Sequence, residues 1–143
     1  MRRLALLLVV VFALAACGGS SHSTSSNGPD AQTQIKSAYV KFFAPQTPLS
    51  DRVALLQNGP RFKPVIQLFA SNPLAKQVSV TVSSVTLQGA NNAKVVYQVK
   101  FAGTTLPKLT GTAVRQGGKW KLGDASLCKL VSLSGSTPSA CKP

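Results

Sequence analysis

The spacing of the apolar residues changes at Pro73, and this change constrains the fold more than any other feature of the sequence. Before Pro73, apolar residues recur every three or four positions, which is the period of a helix with one buried face. After Pro73 they alternate with polar residues, which is the period of a half-exposed strand. A chain that places its helices before its strands folds as an α+β domain. We therefore expect three N-terminal helices packed on a curved antiparallel sheet.

The first helix is predicted within AQTQIKSAYVKFFAP, where one stripe of apolar residues excludes the two lysines. We expect Asp30 to be its N-cap and Pro45 to end it. The residues of the stripe are Ile35, Ala38, Tyr39, Phe42 and Phe43.

Two shorter helices are predicted before the strands begin. In SDRVALLQNG, Ser50 is expected to cap the helix, and the pair Asn58 and Gly59 is expected to end it. In PRFKPVIQLFASNP, the pair Asn72 and Pro73 is expected to end the helix.

The first two strands are predicted in VSVTVSSVTL and AKVVYQVKF. In the first, the apolar positions change parity after Val82, so we expect a β-bulge at Ser83 and Ser84. In the second, the residues predicted to share one inward face are Val95, Tyr97, Val99 and Phe101.

A hairpin is predicted around Gly117 and Gly118, and its loop length decides which residues face inward. A two-residue loop would place Arg115 opposite Trp120. A three-residue loop that starts at Gln116 would place Val114 opposite Trp120 and keep one face apolar. We expect the three-residue loop.

Two longer segments and a late cysteine carry a family resemblance. The segments are TPLSDRVALLQNGPRF (47–62) and GTAVRQGGKWKLGDASLC (111–128), and the cysteine is Cys141. The order of elements is similar to the cone-shaped fold of the cystatin and nuclear-transport-factor-2-like proteins. Over residues 35–141 the chain resembles the mycobacterial low-molecular-weight secreted antigen family and its lipoprotein relatives. That resemblance implies an exported, disulfide-bearing protein of the cell envelope and supplies no catalytic residues.

The first sixteen residues have the pattern of a secretory signal. Two arginines precede thirteen consecutive apolar residues, Leu4 to Ala16. As a helix this run would span about 20 Å, which is less than the roughly 30 Å hydrocarbon core of a bilayer. We therefore expect a cleaved signal peptide over residues 1–16 and no permanent transmembrane helix there.

The four residues from Leu14 to Cys17 resemble the lipobox of bacterial lipoproteins. This resemblance implies that Cys17 becomes the lipidated first residue of the mature chain, with the domain held on the outer face of the cell membrane; two acyl chains make a stable anchor. The alternative is an ordinary secretory signal with an incidental cysteine. Residues 17–29 are predicted to be a flexible Gly/Ser-rich tether, and residues 30–143 a single α+β domain.

The charge is strongly basic, since the full chain has 16 lysine and arginine residues against three acidic ones. Such a charge favours anionic partners, such as phospholipid headgroups or a phosphorylated wall polymer. The cations form no dense cluster and no nucleic-acid-binding motif accompanies them, so we expect no nucleic-acid partner. A merely solvated basic surface is the other interpretation.

Two further cysteines, Cys128 and Cys141, remain in a chain whose signal predicts export. Disulfides persist outside the cytoplasm, and two thiols allow one pairing. The bond would stabilise the fold by about 3 kcal/mol in the chain-entropy model. It would pin the C-terminal tail against a last helical turn in SLCKLVSL.

The sequence offers little catalytic chemistry. There is no glutamate, and the only histidine, His22, lies in the tether. We expect no metal and no cofactor. The remaining enzymatic hypothesis is that Asp124 points into the cone as a general base, with Tyr39 or Tyr97 as hydrogen-bond donor. The alternative is that Asp124 caps the following helix.

The aromatic residues have two interpretations as well, because they can line a ligand cavity or fill the core. Our leading hypothesis is a non-catalytic envelope lipoprotein that binds an apolar or lipid-like ligand, or an anionic envelope partner. An isomerase- or hydrolase-like enzyme and a purely structural or antigenic surface protein are the alternatives. The candidate cavity residues are Tyr39, Phe42, Phe43, Phe62, Phe69, Tyr97, Phe101 and Trp120.

Overall fold

The computed structural model describes residues 29–133, 135 and 137–142. The predicted signal peptide, the predicted lipidation site Cys17 and tether residues 17–28 lie outside this range. Two short 3₁₀ turns follow the third and fourth helices, at Pro73–Gln77 and Ser139–Cys141. The helices are α1 (Pro29–Phe43), α2 (Leu49–Leu55), α3 (Gly59–Ser71) and α4 (Asp124–Ser132); the strands are β1 (Val78–Leu87), β2 (Asn92–Phe101), β3 (Thr104–Thr105), β4 (Leu109–Gln116) and β5 (Lys119–Leu122).

The architecture is the predicted α+β class, with a curled antiparallel sheet and a cone-like shape. The four longer strands pair in the order β1-β2-β4-β5, and β3 pairs with β2. Helix α1 packs against both β1 and β5, so it crosses the sheet from one edge strand to the other. None of the described helices is both long enough and apolar enough to cross a membrane.

The apolar stripe predicted for α1 is confirmed, since all five of its side chains are buried in the core. The predicted cap is wrong. The helix already includes Pro29, so Asp30 lies in its first turn and accepts a hydrogen bond from the Gln34 Nε2 at 2.7 Å. A proline suits this position because it has no N–H that needs a capping acceptor. Helix α1 therefore begins at Pro29, one residue before the predicted start of the domain.

Both predicted ends of the second helix are wrong. Ser50 lies inside α2, where its hydroxyl donates to the Asp51 Oδ1 at 3.2 Å. The helix ends at Leu55 because the next residue, Leu56, forms a parallel bridge with Leu122 of β5. Asn58 is the N-cap of α3 and Gly59 is its first residue, so this pair begins α3 instead of ending α2.

The predicted bulge in β1 is confirmed. Val82 pairs with Tyr97, but Ser84 pairs with Val96, so Ser83 is the extra residue. The shift restores the inward direction of the apolar side chains, and both Val80 and Val85 are buried. The strand can therefore stay paired with β2 over its whole length while it bends.

The predicted three-residue hairpin loop is wrong. Arg115 pairs with Trp120, so the loop consists of Gly117 and Gly118 alone. Both glycines have positive φ angles, 60° and 75°, as a type I′ turn requires. The prediction failed because it placed Val114 in the core, whereas the smaller Ala113 faces inward and is 1% exposed.

The four residues predicted to share one face of β2 do so by the alternation of the strand, and three of them are buried. Val95, Tyr97 and Val99 are buried, but Phe101 is 36% exposed. Phe101 is the last residue of β2, where the sheet meets an open cleft.

Candidate functional site

An apolar cleft of about 1090 Å³ opens between α3, α4 and the C-terminal tail, at one end of β1 and β2. Its described lining has three polar residues, Asn72, Thr137 and Ser139, and no charged residue. The volume is comparable with that of ligand pockets, which are lined mostly by apolar side chains and by a few polar groups. Apolar lining residues that matter below are Phe43, Leu68, Phe69, Phe101, Leu130 and Leu133.

Helix α3 uses one face for the core and an adjacent face for the cleft, whereas α4 presents one apolar face to the cleft. In α3, Phe62 and Ile66 are buried in the core, while Val65, Leu68 and Phe69 line the cleft. In α4, the lining residues are spaced by three and four positions, which places them on one side of the helix. They are Leu127, Leu130 and Val131.

A disulfide holds the tail that forms the remaining wall. Cys128 of α4 is bonded to Cys141, with their Cα atoms 5.5 Å apart, as the sequence predicted. Thr137, Pro138 and Ser139 lie between the two cysteines and line the cleft. One more bond fixes the tail, from the Arg61 Nη2 to the Lys142 carbonyl oxygen at 3.1 Å.

The structure brings together four of the eight aromatic residues proposed as cavity residues. Phe42, Phe43, Phe69 and Phe101 line the cleft. The other four do not. Tyr39, Phe62 and Tyr97 are buried in the core cluster, and Trp120 borders a separate hollow of about 500 Å³ beside Lys41 and Lys119.

Sequence reasoning missed the aliphatic half of the cleft. Leu68 falls outside the buried stripe of α3 and is 74% exposed. The apolar face of α4 carried the available signal for Leu130 and Val131, because their spacing from Leu127 is helical.

Asp124 adopts neither of the two geometries predicted for it. It is the first residue of α4, the N-cap is Gly123, and the Asp124 carboxylate makes no capping hydrogen bond. Instead the Asp124 Oδ2 accepts a hydrogen bond from the Asn58 Nδ2 at 2.9 Å. The carboxylate does not line the cleft, because α4 turns its first residue toward the start of α3. A general base at this position would therefore not meet a ligand in the cleft.

A buried cluster of hydroxyl groups joins α1, β4 and α4. The Tyr39 hydroxyl donates to the Thr112 carbonyl oxygen at 2.7 Å and lies 3.4 Å from the Ser126 Oγ. The same Ser126 Oγ accepts a hydrogen bond from the Thr112 N–H at 2.7 Å. These bonds satisfy polar groups that burial would otherwise leave unpaired. Tyr39, one of the two tyrosines proposed as catalytic donors, is therefore engaged in structural hydrogen bonds, and the other, Tyr97, is buried beside it with ring centroids 5.2 Å apart.

We expect neither tyrosine to ionise near pH 10 while the chain is folded. Burial raises the pKa of Tyr39, partly offset by its hydrogen bond with Ser126, and burial also raises the pKa of Tyr97. The stabilisation from the neutral phenols is complete below about pH 10, the pKa of tyrosine in an unfolded chain, and is lost as the pH rises toward the raised pKa.

Ultraviolet absorbance of tyrosinate measures this directly, because Tyr39 and Tyr97 are the only tyrosines in the chain. The guanidinium-unfolded chain should titrate near pH 10, and the folded chain should not. A native titration step near pH 10 would show that the two phenols are accessible to water.

A buried arginine lies close to the cleft. Arg52 of α2 is 2% exposed, and burial lowers its pKa. Its Nε donates to the Thr47 carbonyl oxygen at 3.0 Å and its Nη2 to the Ala44 carbonyl oxygen at 2.8 Å. These acceptors lie just beyond the C-terminal end of α1, where the helix dipole favours a cation. Its guanidinium carbon is 5.2 Å from the ring centroid of Phe69, and its Nη1 has no hydrogen-bond partner among the described residues.

Charge and metal chemistry in the described part of the chain are simple. No lysine or arginine there forms an ion pair with a described carboxylate. No group of three His, Cys, Asp or Glu residues in the described ranges is arranged to hold a metal ion. The candidate site consists of the apolar cleft and of the buried Arg52, which contacts Phe69 of the cleft lining.

The chain matches a known protein family over most of its length. A family model described as low molecular weight antigen MTB12, C-terminal domain, matches residues 28–138. No curated protein shows significant sequence similarity to the chain.

Proposed function

The chain belongs to the family of the low molecular weight antigen MTB12, C-terminal domain. We propose that it is a non-catalytic protein of the cell envelope that binds an apolar or lipid-like ligand. The observation that carries this proposal is the cleft of about 1090 Å³, whose described lining is almost wholly apolar and has no charge. A concave apolar site of this size is typical of ligand pockets.

The exposed apolar residues support the cleft as the binding site. Among the described residues, five large apolar side chains are exposed, and three of them line this cleft. Those three are Leu68 (74% exposed), Leu133 (62%) and Phe101 (36%). Apolar surface that is concentrated at one place marks a binding site more often than apolar residues scattered singly.

The chemistry of the lining supports binding rather than catalysis. General acid–base catalysis needs a titratable group within hydrogen-bond reach of the reacting atoms. The described lining has one amide, from Asn72, and two hydroxyls, from Thr137 and Ser139. The carboxylate of Asp124 is bonded to Asn58 instead.

The proposed location rests on the N-terminal sequence and on the disulfide. A secretory signal over residues 1–16 and a lipobox ending at Cys17 are typical of an exported, lipid-anchored chain. The Cys128–Cys141 disulfide fits an oxidising compartment. Acyl chains on Cys17 would hold the domain at the outer face of the membrane, next to a supply of apolar molecules.

Replacing Leu68 by glutamine should weaken binding of the neutral apolar probe N-phenylnaphthylamine by about tenfold, because the ligand loses a large apolar contact. Leu74→Gln is the matched control, since Leu74 is 50% exposed and does not line the cleft. Both substitutions lie at exposed positions and should leave the free energy of unfolding nearly unchanged. Probe fluorescence measures the affinity.

Two results would contradict the proposal. The first is an equal loss of affinity in Leu68→Gln and Leu74→Gln, which would place the probe elsewhere. The second is a parent protein that binds no apolar probe, which would favour an anionic envelope partner instead.

A further inference from the structure

We propose that the ligand of this cleft is a long-chain carboxylic acid, whose carboxylate pairs with the buried guanidinium of Arg52 once the ring of Phe69 turns aside. This inference rests on the proposed function of the cleft and goes further, because it assigns the head group of the ligand and the residue that recognises it.

The first argument is the unmet hydrogen-bonding capacity of Arg52. A guanidinium carries five N–H donors and no acceptor. Two of its nitrogens donate to carbonyl oxygens of the loop after α1, but the buried Nη1 has no partner among the described residues. Buried charges in proteins are normally paired as well as hydrogen-bonded. The buried guanidinium therefore keeps hydrogen-bonding capacity that an anionic group could use.

The second argument is that the described chain does not supply this anion. The described acidic residues are Asp30, Asp51 and Asp124, and none forms an ion pair with Arg52. Asp51 is next to Arg52 in sequence, but it lies on the exposed side of α2, where it borders the separate hollow. Because the surrounding domain is strongly basic, an anionic group that enters the cleft is also favoured at longer range.

The third argument is the contact between Arg52 and the cleft. Phe69 lines the cleft, and its ring centroid is 5.2 Å from the Arg52 guanidinium carbon. The ring is only half-buried, and it meets Phe43 edge-on with centroids 6.2 Å apart. A rotamer change of this one half-buried ring would therefore open a path from the cleft to the Arg52 guanidinium.

The apolar surroundings favour a carboxylate over a phosphodiester head group. A carboxylate is small and accepts from a guanidinium through two oxygens in one plane. The neighbouring side chains are phenyl rings, Phe43 and Phe69, which offer no donors for further oxygens. A phosphodiester would bury additional oxygens and a second substituent without hydrogen bonds.

Calorimetric titration with dodecanoic acid and with dodecanol tests the inference, because the two ligands share a chain and differ in the head group. The parent protein should bind the acid at least tenfold more tightly than the alcohol. Arg52→Met should bind the two with equal affinity. Lys63→Met, which removes an exposed cation from α3, should keep the preference of the parent.

Because Arg52 also bonds to the loop after α1, a second measurement avoids the variant. Carbon NMR of carboxyl-labelled dodecanoic acid on the parent protein should give a carboxyl pKa below that of the free monomer, since a guanidinium partner favours the charged form. An unpaired carboxyl in an apolar cleft would titrate at higher pH instead.

The outcomes separate the two proposals. If neither ligand binds, the proposed function of the cleft is wrong. If acid and alcohol bind equally and the bound carboxyl titrates above the free monomer, the cleft binds apolar ligands and the role of Arg52 is overturned.

Discussion

Gly59→Ala should destabilise the fold by at least about 3 kcal/mol, because the methyl group would be forced into the backbone of the preceding helix. A Cβ at Gly59 overlaps the carbonyl oxygen of Val53 and lies 2.7 Å from its carbonyl carbon. These are main-chain atoms of α2, so no side-chain rotation relieves the overlap. Helices α2 and α3 would have to separate, and both help to bury the core. Urea denaturation followed by circular dichroism measures the loss.

Gly118→Asn is the control for this prediction. Gly118 has a positive φ of 75°, but no atom outside Gly118 and its two chain neighbours lies within 4 Å of the position that its Cβ would take. Asparagine tolerates this backbone conformation better than most residues, so the cost should stay below about 1 kcal/mol. If Gly59→Ala proved as mild as Gly118→Asn, the close approach of α3 to Val53 would be incorrect.

Replacing Cys128 and Cys141 by serine should lower the free energy of unfolding by about 3 kcal/mol, since the unfolded chain gains the freedom that the closed loop denied it. The change should also weaken binding of the apolar probe. Between the two cysteines lie Thr137, Pro138 and Ser139, which form one wall of the cleft. Denaturation in urea and probe fluorescence measure the two effects in the same samples.

Chemical reduction of the parent protein provides the comparison for the double variant. The reduced parent should match it in stability and in probe affinity, since both lack the same bond. A reduced parent that keeps its full affinity for the probe would show that the tail stays in place without the disulfide, and hence that the bond does not maintain the wall.

The elements with strong periodicity could be predicted from the sequence because burial alone determines them. The stripe of α1 and the bulge of β1 follow from which side chains must avoid water. The boundaries of α2 could not be predicted, because the helix ends where Leu56 pairs with Leu122, a residue 66 positions later. The hairpin register also depends on tertiary packing. The inward position 111 of β4 faces the Tyr39 hydroxyl and has no room for a side chain larger than that of glycine, so the inward face of β4 is the one that carries Gly111 and Ala113.

The cleft was only partly predictable for a related reason. Aromatic residues can be recognised as apolar, but the sequence does not show whether Phe69 borders a cleft or Phe62 fills the core. That difference depends on how α3 and α4 are placed around the sheet. The burial of Arg52 could not be predicted, because a basic residue next to Asp51 in a short amphipathic helix is typical of an exposed position.

The bridge between Leu56 and Leu122 has a consequence for how the chain acquires its structure. Helix α1 packs against β5, and the segment after α2 pairs with the same strand. These contacts of the N-terminal third can therefore form only after β5, near the C-terminus, is present. Contacts between such distant residues form slowly, because a long loop must close first. In a chain that emerges N-terminus first, the aromatic face of α1 therefore stays partly exposed until β5 has emerged. A fragment that stops before β5 would be prone to aggregation.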